Sequence, residues 1–341
     1  MSCLAERIYL VLNYPSQVQK KTLLTGIKQD LENPSIYYIT GFIEETSELK
    51  SHKIITTVGK DSNYITFVYK GNLSGISISN KDNWHILKFP SSVNTSLYGP
   101  SIFKKTDTIR VVGNYSTVEG GNTAYGCLYQ GGLDGEGKWT TIMPPKSIQT
   151  ICHSSMNDCV VGNFLTKDTP NSKAFVYNIR KNKYIEITKK GSVSITAYGI
   201  WHNSNSKNSY TICGGYSENQ KVTSGAHIGY IVDYNNKSNE FTNWQSYRYN
   251  NSKDLITHFE GISGTDKGYS LVANSVEDQQ IASIAHIRRK KDGSFSSKAK
   301  WEQIEVPGKN NTSANSIAGT TVIGVASSNS AIIDGFVSIL I

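Results

Sequence analysis

Six recurrences of one short β-like run, a fixed order of further runs around it, and a last copy whose missing fourth run is found at the N-terminus together predict an all-β chain. That combination describes a six-bladed β-propeller of four-stranded antiparallel blades. The recurring run is clearest as Val111-Val-Gly-Asn-Tyr115, and it returns as Tyr38-Ile-Thr-Gly-Phe42, Val160-Val-Gly-Asn-Phe164, Ile212-Cys-Gly-Gly-Tyr216, Leu271-Val-Ala-Asn-Ser275 and Val322-Ile-Gly-Val-Ala326. These runs are apolar, mostly β-branched, bounded by turn residues and too short for helices.

The other elements follow in order. Ahead of each run stands a segment ending in Gly-Ile or a variant: Gly26-Ile27, Gly99-Pro100, Ser155-Met156, Gly199-Ile200, Gly261-Ile262 and Ser316-Ile317. After it comes an aromatic-rich third run, as in Ile65-Thr-Phe-Val-Tyr69 and Ala174-Phe-Val-Tyr177, and then a fourth that opens near Trp84, Trp139, Tyr184, Trp244 or Trp301. The sixth copy stops after Asp334-Gly-Phe-Val-Ser-Ile-Leu-Ile341, leaving an apolar edge open to aggregation. Arg7-Ile-Tyr-Leu-Val-Leu-Asn-Tyr-Pro15 resembles the fourth runs elsewhere, closing proline included, and is expected to complete that blade. The chain thus reads as a single domain, 1–341, with blades near 22–92, 95–147, 150–192, 196–250, 256–308 and 312–341 plus 5–15. Five blades is the competing count, with residues 17–31 as a helical insertion; an unrelated β-sandwich competes more weakly.

The succession Gly-Ile, Val-Val-Gly-Asn-Tyr, Gly-x-x-Tyr and Trp-Thr-x-Ile-x-x-Pro, clearest at 96–145 and 150–188, resembles the HAF-type extracellular repeats, which are β-propeller repeats. The resemblance implies a scaffold and no reaction. The chain departs from it where Ser155, Ala273 and Ser316 replace the repeat glycines.

Composition narrows the function. With 38% hydrophobic residues, 29 Gly and 20 Tyr in 341 residues, the chain can bury a large core. No stretch approaches the ~20 apolar residues that cross a bilayer, and MSCLAERIYLVLNYPSQ lacks the features of a secretory signal, so a cytoplasmic location is expected. Five cysteines, odd in number and widely spread, fit reduced thiols. The net charge of +8 invites nucleic acid, but the dense basic cluster Arg288, Arg289, Lys290, Lys291 runs into Asp-Gly without interleaved aromatics, and reads as a solvated hairpin tip. No phosphate loop, dinucleotide fingerprint or His-Glu-x-x-His helix is present, and Cys152, His153 and Cys159 read as structural rather than metal-binding; no cofactor and no metal are expected. A homo-oligomer is compatible with this reading.

Function is then sought where the copies differ. The first strand of a blade lines the central channel, and its side chains alternate between faces. Aligned on the anchor (26, 99, 155, 199, 261, 316), the position two before it holds Leu24, Leu97, His153, Ala197, Phe259 and Ala314, read as packing. The positions one and three before it hold Thr25, Tyr98, Ser154, Tyr198, Glu260 and Asn315, and Leu23, Ser96, Cys152, Thr196, His258 and Ser313, a largely polar and asymmetric wall. His258 and Glu260, ~7 Å apart on one strand face, can meet one ligand. From this wall Glu260, His258, Tyr98 and Tyr198 are the catalytic candidates, and Thr25, Ser96, Cys152, Ser154, Thr196 and Asn315 the substrate-binding ones.

Two functions fit. One is a small-molecule enzyme using metal-free acid–base chemistry in the channel, as a lyase, cyclase, isomerase or hydrolase. The other is a binding module, a lectin or protein scaffold, presenting the variable loops 44–62, 115–123 and 217–226. Lectin propellers repeat their binding residues from blade to blade; here the repeated residues are apolar, which favours one site over six.

Overall fold

The computed structural model describes residues 6–15, 21–44, 64–103, 108–118, 123–204, 206–221, 227–265, 267–276, 280–328 and 333–340. The strands form six antiparallel sheets, each ordered from an inner to an outer strand. Blade 1 runs Lys21–Gln29, Tyr37–Glu44, Tyr64–Gly71, Trp84–Ile86, and blade 2 Asn94–Ile102, Ile109–Ser116, Tyr125–Gly131, Lys138–Ile142. Blade 3 runs Ser147–Met156, Cys159–Thr166, Thr169–Asn178, Lys183–Ile187. Blade 4 has its inner strand in two pieces, Ser194–Ile195 and Gly199–His202, followed by Ser209–Ser217, Ile228–Asn235 and Glu240–Tyr247. Blade 5 runs Ile256–Thr265, Gly268–Val276, Gln280–Arg288, Lys300–Ile304. Blade 6 takes Asn311–Ala318, Thr321–Ser327 and Asp334–Leu340 from the C-terminal end and Arg7–Val11 from the N-terminal end. The expected propeller and its closure are both present, and the five-blade alternative falls: residues 21–29 are the inner strand of blade 1, not a helical insertion, while 16–20 lie outside the described residues.

The closing strand pairs Arg7 with Leu340 through Val11 with Phe336. Past its end, the Leu12 amide donates to Gly335 O at 2.8 Å, and Asn13 reads the Asp334 carboxylate at 2.8 Å and the Gly335 amide at 3.0 Å. Arg7 also reaches the outer strand of blade 5, donating from Nε to Glu302 Oε1 at 2.5 Å. Glu302 holds His286 Nε2 at 3.1 Å as well, and its hydrogen bonds to His286 and Arg7 depress the carboxyl to about 2.

The second strand of each blade is buried on both faces, which is why its sequence is a continuous apolar run. The repeated glycine of that run is a close-approach position. A Cβ at Gly41, Gly113, Gly162, Gly214 or Gly324 would stand 1.9–2.3 Å from an inner-strand carbonyl oxygen, that of Leu23, Ser96, Ile151, Thr196 or Ser313. The aromatic opening the fourth strand pairs with a tyrosine of the third: Trp84 opposite Tyr69, Trp139 opposite Tyr129, Tyr184 opposite Tyr177, with ring centroids 5.1, 4.9 and 4.6 Å apart. Among the described residues the buried side chains gather into six apolar clusters, one in each seam between neighbouring blades. The core is therefore a ring of seams around a channel.

One sequence expectation about the surface changes. The basic tip is a hairpin turn with Arg288, Lys290 and Lys291 exposed, but Arg289 is not solvated. Its guanidinium grips Asp233 of blade 4 with two bonds, 2.6 and 2.8 Å, bonds Tyr269 Oη at 2.6 Å and the Gly293 carbonyl at 2.7 Å, and lies 4.4 Å from the Phe295 ring centre. It braces the seam between blades 4 and 5, because a fork-shaped cation can satisfy a buried carboxylate and stack on a ring at once. Of the three loops read as a docking face, residues 45–63, 119–122 and 222–226 lie outside the described residues.

Candidate functional site

Every inner strand slips register by one residue or more at the same level of the channel. The slips fall between Leu24 and Gly26, Leu97 and Pro100, Cys152 and Ser154, Phe259 and Gly261, and Ala314 and Ser316, with the break between Ile195 and Gly199 in blade 4. Each is a β-bulge, in which the extra residue leaves the ladder and turns its side chain aside. The displaced residues are Thr25, Tyr98, His153, Tyr198, Glu260 and Asn315.

This corrects the alignment in blade 3 by one position. His153, read as packing, belongs to the channel ring. Cys152, read as a substrate-binding residue, is fully buried in the seam of blades 2 and 3, where burial raises its thiol pKa. Ser154 moves to the position just after the bulge and still borders the cavity. The cause is local: the other bulges are followed by Gly or by Ser316, whereas Ser154-Ser155 offers two equivalent anchors.

The remaining predicted residues divide by what they bond. Thr25 donates to the Leu97 carbonyl at 2.6 Å and Asn315 to the Leu24 carbonyl at 2.7 Å, so both join blades while bordering the cavity. Ser96 is buried above this level. Thr196, buried, approaches His258 Nε2 at 2.7 Å, while His258 Nδ1 meets Glu260 Oε1 at 2.9 Å. The Thr196 hydroxyl also accepts from the Gly215 amide at 3.0 Å. The Gly215 carbonyl, 3.1 Å from the same hydroxyl, is a second acceptor for its proton; in the Nδ1–H tautomer of His258, Thr196 donates to Nε2 and Nδ1–H donates to Glu260. Glu260 is thereby fixed by one oxygen, and Oε2 has no protein partner among the described residues.

An aromatic row crosses the channel beside this line. Tyr198 stacks on His153 with centroids 3.6 Å apart and meets His258 edge-on at 4.5 Å, and Tyr98 leans on His153 at 5.2 Å. Tyr98 is part of the row and does not border the cavity. Burial pushes its phenol up to about 12, and raises that of Tyr198 further, so both hydroxyls stay protonated. His153 Nε2 lies 3.0 Å from the Asn163 amide nitrogen, whose oxygen accepts from the Ala197 amide at 2.8 Å. Asn163 therefore donates, and Nδ1 carries the His153 proton. Burial, with His258 nearby, lowers the His153 imidazole to about 3 and keeps it neutral.

Beyond the row, toward the ends of the inner strands, lies a cavity of about 330 Å³ bordered by Thr25, His153, Ser154, Tyr198, Glu260 and Asn315. Ile27, Ile200, Ile262 and Ile317 border it while packing into the seams between blades, and its far end carries Lys28 and Trp201 from opposite blades, the ammonium 5.0 Å from the indole centre. Lys28 and Trp201 were not found from sequence. They stand three residues past Thr25 and Tyr198, where alternation, reset by the bulge, turns side chains back to the channel; extending the six-copy alignment that far exposes the column Lys28, Ser101, Met156, Trp201, Ser263 and Ala318. Among the described residues no group of three His, Cys, Asp or Glu side chains is placed to hold a metal ion. None of the described helices is long and apolar enough to cross a membrane.

No protein-family model and no curated protein matches the chain. Solved structures do match in fold. An α-L-arabinanase from Penicillium chrysogenum, complexed with arabinobiose, is 12% identical with a TM-score of 0.51, over 97% of this chain and 98% of its own. The Trypanosoma rangeli sialidase is 8% identical with a TM-score of 0.52, over 99% of this chain, and the Hadza microbial sialidase Hz136 is 11% identical with a TM-score of 0.51, over 94%. This chain spans 60% of the first sialidase's length and 66% of the second's. At such identities the likeness is one of fold: the chain is similar to these propellers in architecture.

Proposed function

We propose that the protein is a small-molecule enzyme whose single site is the channel cavity, with Glu260 as the proton-transfer group. The observation that carries this is the line Thr196–His258–Glu260, in which two successive hydrogen bonds of 2.7 and 2.9 Å hold one carboxylate at the edge of a cavity. A carboxylate fixed through one oxygen keeps the other for a ligand proton, and positioned groups of this kind contribute ~10²–10⁴ in rate. His258 is a positioning residue. His153 is a neutral donor on the same wall, suited to an oxygen on which negative charge develops, and the Tyr198 phenol, which meets the Asn163 side chain, stays protonated beside it. The reaction class is proton abstraction or proton-assisted bond cleavage, as in an isomerase, lyase, cyclase or hydrolase, without a metal or organic cofactor. The likeness to two sialidases and to an arabinanase complexed with arabinobiose is one of scaffold; propellers host unrelated chemistries, so the reaction is argued from the cavity. Four buried free thiols, Cys127, Cys152, Cys159 and Cys213, support a reducing, cytoplasmic setting.

A thermal-shift screen of a metabolite library identifies ligands, and turnover of each hit is followed by NMR. Glu260→Gln is expected to keep ligand binding and lose turnover by ~10²–10⁴. A hit that binds without turnover in the wild type makes the protein a binding module, and a ligand stabilising wild type, Glu260→Gln and Tyr198→Phe equally removes the site from the channel.

A further inference from the structure

The cavity carries chemically distinct polar groups at its two ends. One end holds Glu260 and His153; the other holds Lys28 over Trp201, with Ser154, Ser155, Ser263 and Ser316 also bordering the space. The ends are three residues apart along the inner strands, ~10 Å at ~3.3 Å per residue. Within that space the charged groups are Glu260, Lys28 and Asp30. Asp30 is committed to its own turn, accepting from the amides of Glu32 at 2.8 Å and Asn33 at 2.9 Å. Among the described residues no carboxylate comes within 4 Å of the Lys28 ammonium, and its close neighbour is the face of a ring.

We propose that Lys28 and Trp201 form a carboxylate subsite, so that the channel takes a compact organic acid whose acid group pairs with Lys28, whose body spans the cavity, and whose hydroxyl or carbonyl end meets Glu260 and His153. The inference rests on the channel reading above and names its substrate class. A ring face attracts an ammonium but leaves its N–H donors unused on the cavity side, and those donors fit an anion. Burial lowers the Lys28 ammonium to about 8, a penalty that a bound anion relieves. A monoanion suits the site better than a phosphate dianion: among the described residues there is one lysine and no guanidinium fork at the cavity, and Glu260 repels a second negative charge. The cavity volume of about 330 Å³ suits a single compact molecule.

The test uses the full chain labelled with ¹³C at lysine Cε, the Lys28 signal being identified by its loss in Lys28→Met. A panel of C4–C9 hydroxy and keto acids is titrated, each beside its own amide, with inorganic phosphate as a further probe. The expected result is a saturable shift of the Lys28 signal by one or more acids, binding at least tenfold weaker for the matched amide, and at least tenfold weaker for the acid in Lys28→Met, with the shift retained in Glu260→Gln. Acids and amides that bind the channel equally, or unchanged acid affinity in Lys28→Met, overturn the subsite while leaving channel binding standing. Phosphate shifting Lys28 as strongly as the acids overturns the carboxylate assignment. A panel that moves neither Lys28 nor the melting temperature overturns the subsite, and a metabolite library equally without effect then removes the channel reading too.

Discussion

Two largely buried cations, Arg289 and Lys28, live under opposite conditions in the same propeller. Arg289 spends its donors inside the protein, on Asp233, Tyr269 and the Gly293 carbonyl, and stacks on Phe295. Lys28 borders a cavity and has a ring for its close neighbour. The saturated charge holds two blades together. The unsaturated one raises the energy of the folded chain and has donors to offer something that arrives from outside. Glu260 stands between these extremes, with one oxygen fixed by His258 and the other without a partner among the described residues.

Breaking the saturated pair gives the largest stability effect. Removing one partner of a buried ion pair costs ~3–5 kcal/mol, and Arg289→Met is expected near the lower bound because 21% of the Arg289 side chain is exposed. The urea midpoint reads this directly; a midpoint equal to wild type returns Arg289 to the solvated charges. Arg289→Lys is expected to recover only part of the loss, since an ammonium cannot grip both Asp233 oxygens and lie on Phe295 together.

Lys28→Met is expected to move stability the other way. The folded ammonium titrates at about 8 and the unfolded one near 10.5, so between these values the unfolded chain binds more protons and stability rises with pH. Below pH 8 both forms are charged and the full penalty is present. The melting temperature of Lys28→Met is therefore expected above wild type at pH 7, with the gap closing as pH climbs from 8 toward 10. A gap that does not change with pH would show that the ammonium is hydrated in the folded chain.

Thr196→Val gives the smallest effect and sharpens the middle case. It leaves the Glu260 carboxylate in place and deprives His258 Nε2 of its partner. The ¹⁵N signals of His258 are expected to shift toward a mixture of tautomers, with turnover falling less than in Glu260→Gln. Unchanged imidazole signals would place the proton assignment elsewhere.

The legibility of this fold in its sequence was uneven for physical reasons. The repeated runs mark the second strands because those strands are buried on both faces, and the spare strand at one terminus answered the open edge at the other. The channel ring was legible wherever Gly or an isolated Ser follows the bulge, which is how Glu260, His258, Tyr198, Thr196, Thr25 and Asn315 emerged. Blade 3 misled because Ser154-Ser155 carries no such mark, and in a strand a one-residue error exchanges the two faces. That single slip gave Ser154 the ring place of His153 and turned Cys152 to the channel face. Arg289 was misread because its partner, Asp233, lies 56 residues earlier on another blade, beyond the reach of local charge patterning.

The closing strand also orders the folding of the chain. Blades 2 to 5 are each built from consecutive residues, so each can assemble from local contacts as its segment appears. Blade 6 cannot: Arg7 and Ser338, hydrogen-bonded across it, are 331 residues apart. Joining positions so distant incurs its loop-closure entropy before any contact compensates, which makes such steps slow. The ring is therefore expected to shut last, with the strand at 7–11 waiting unpaired until the strand at 334–340 is in place, and the interval before that meeting is when the nascent protein most needs protection from its own kind.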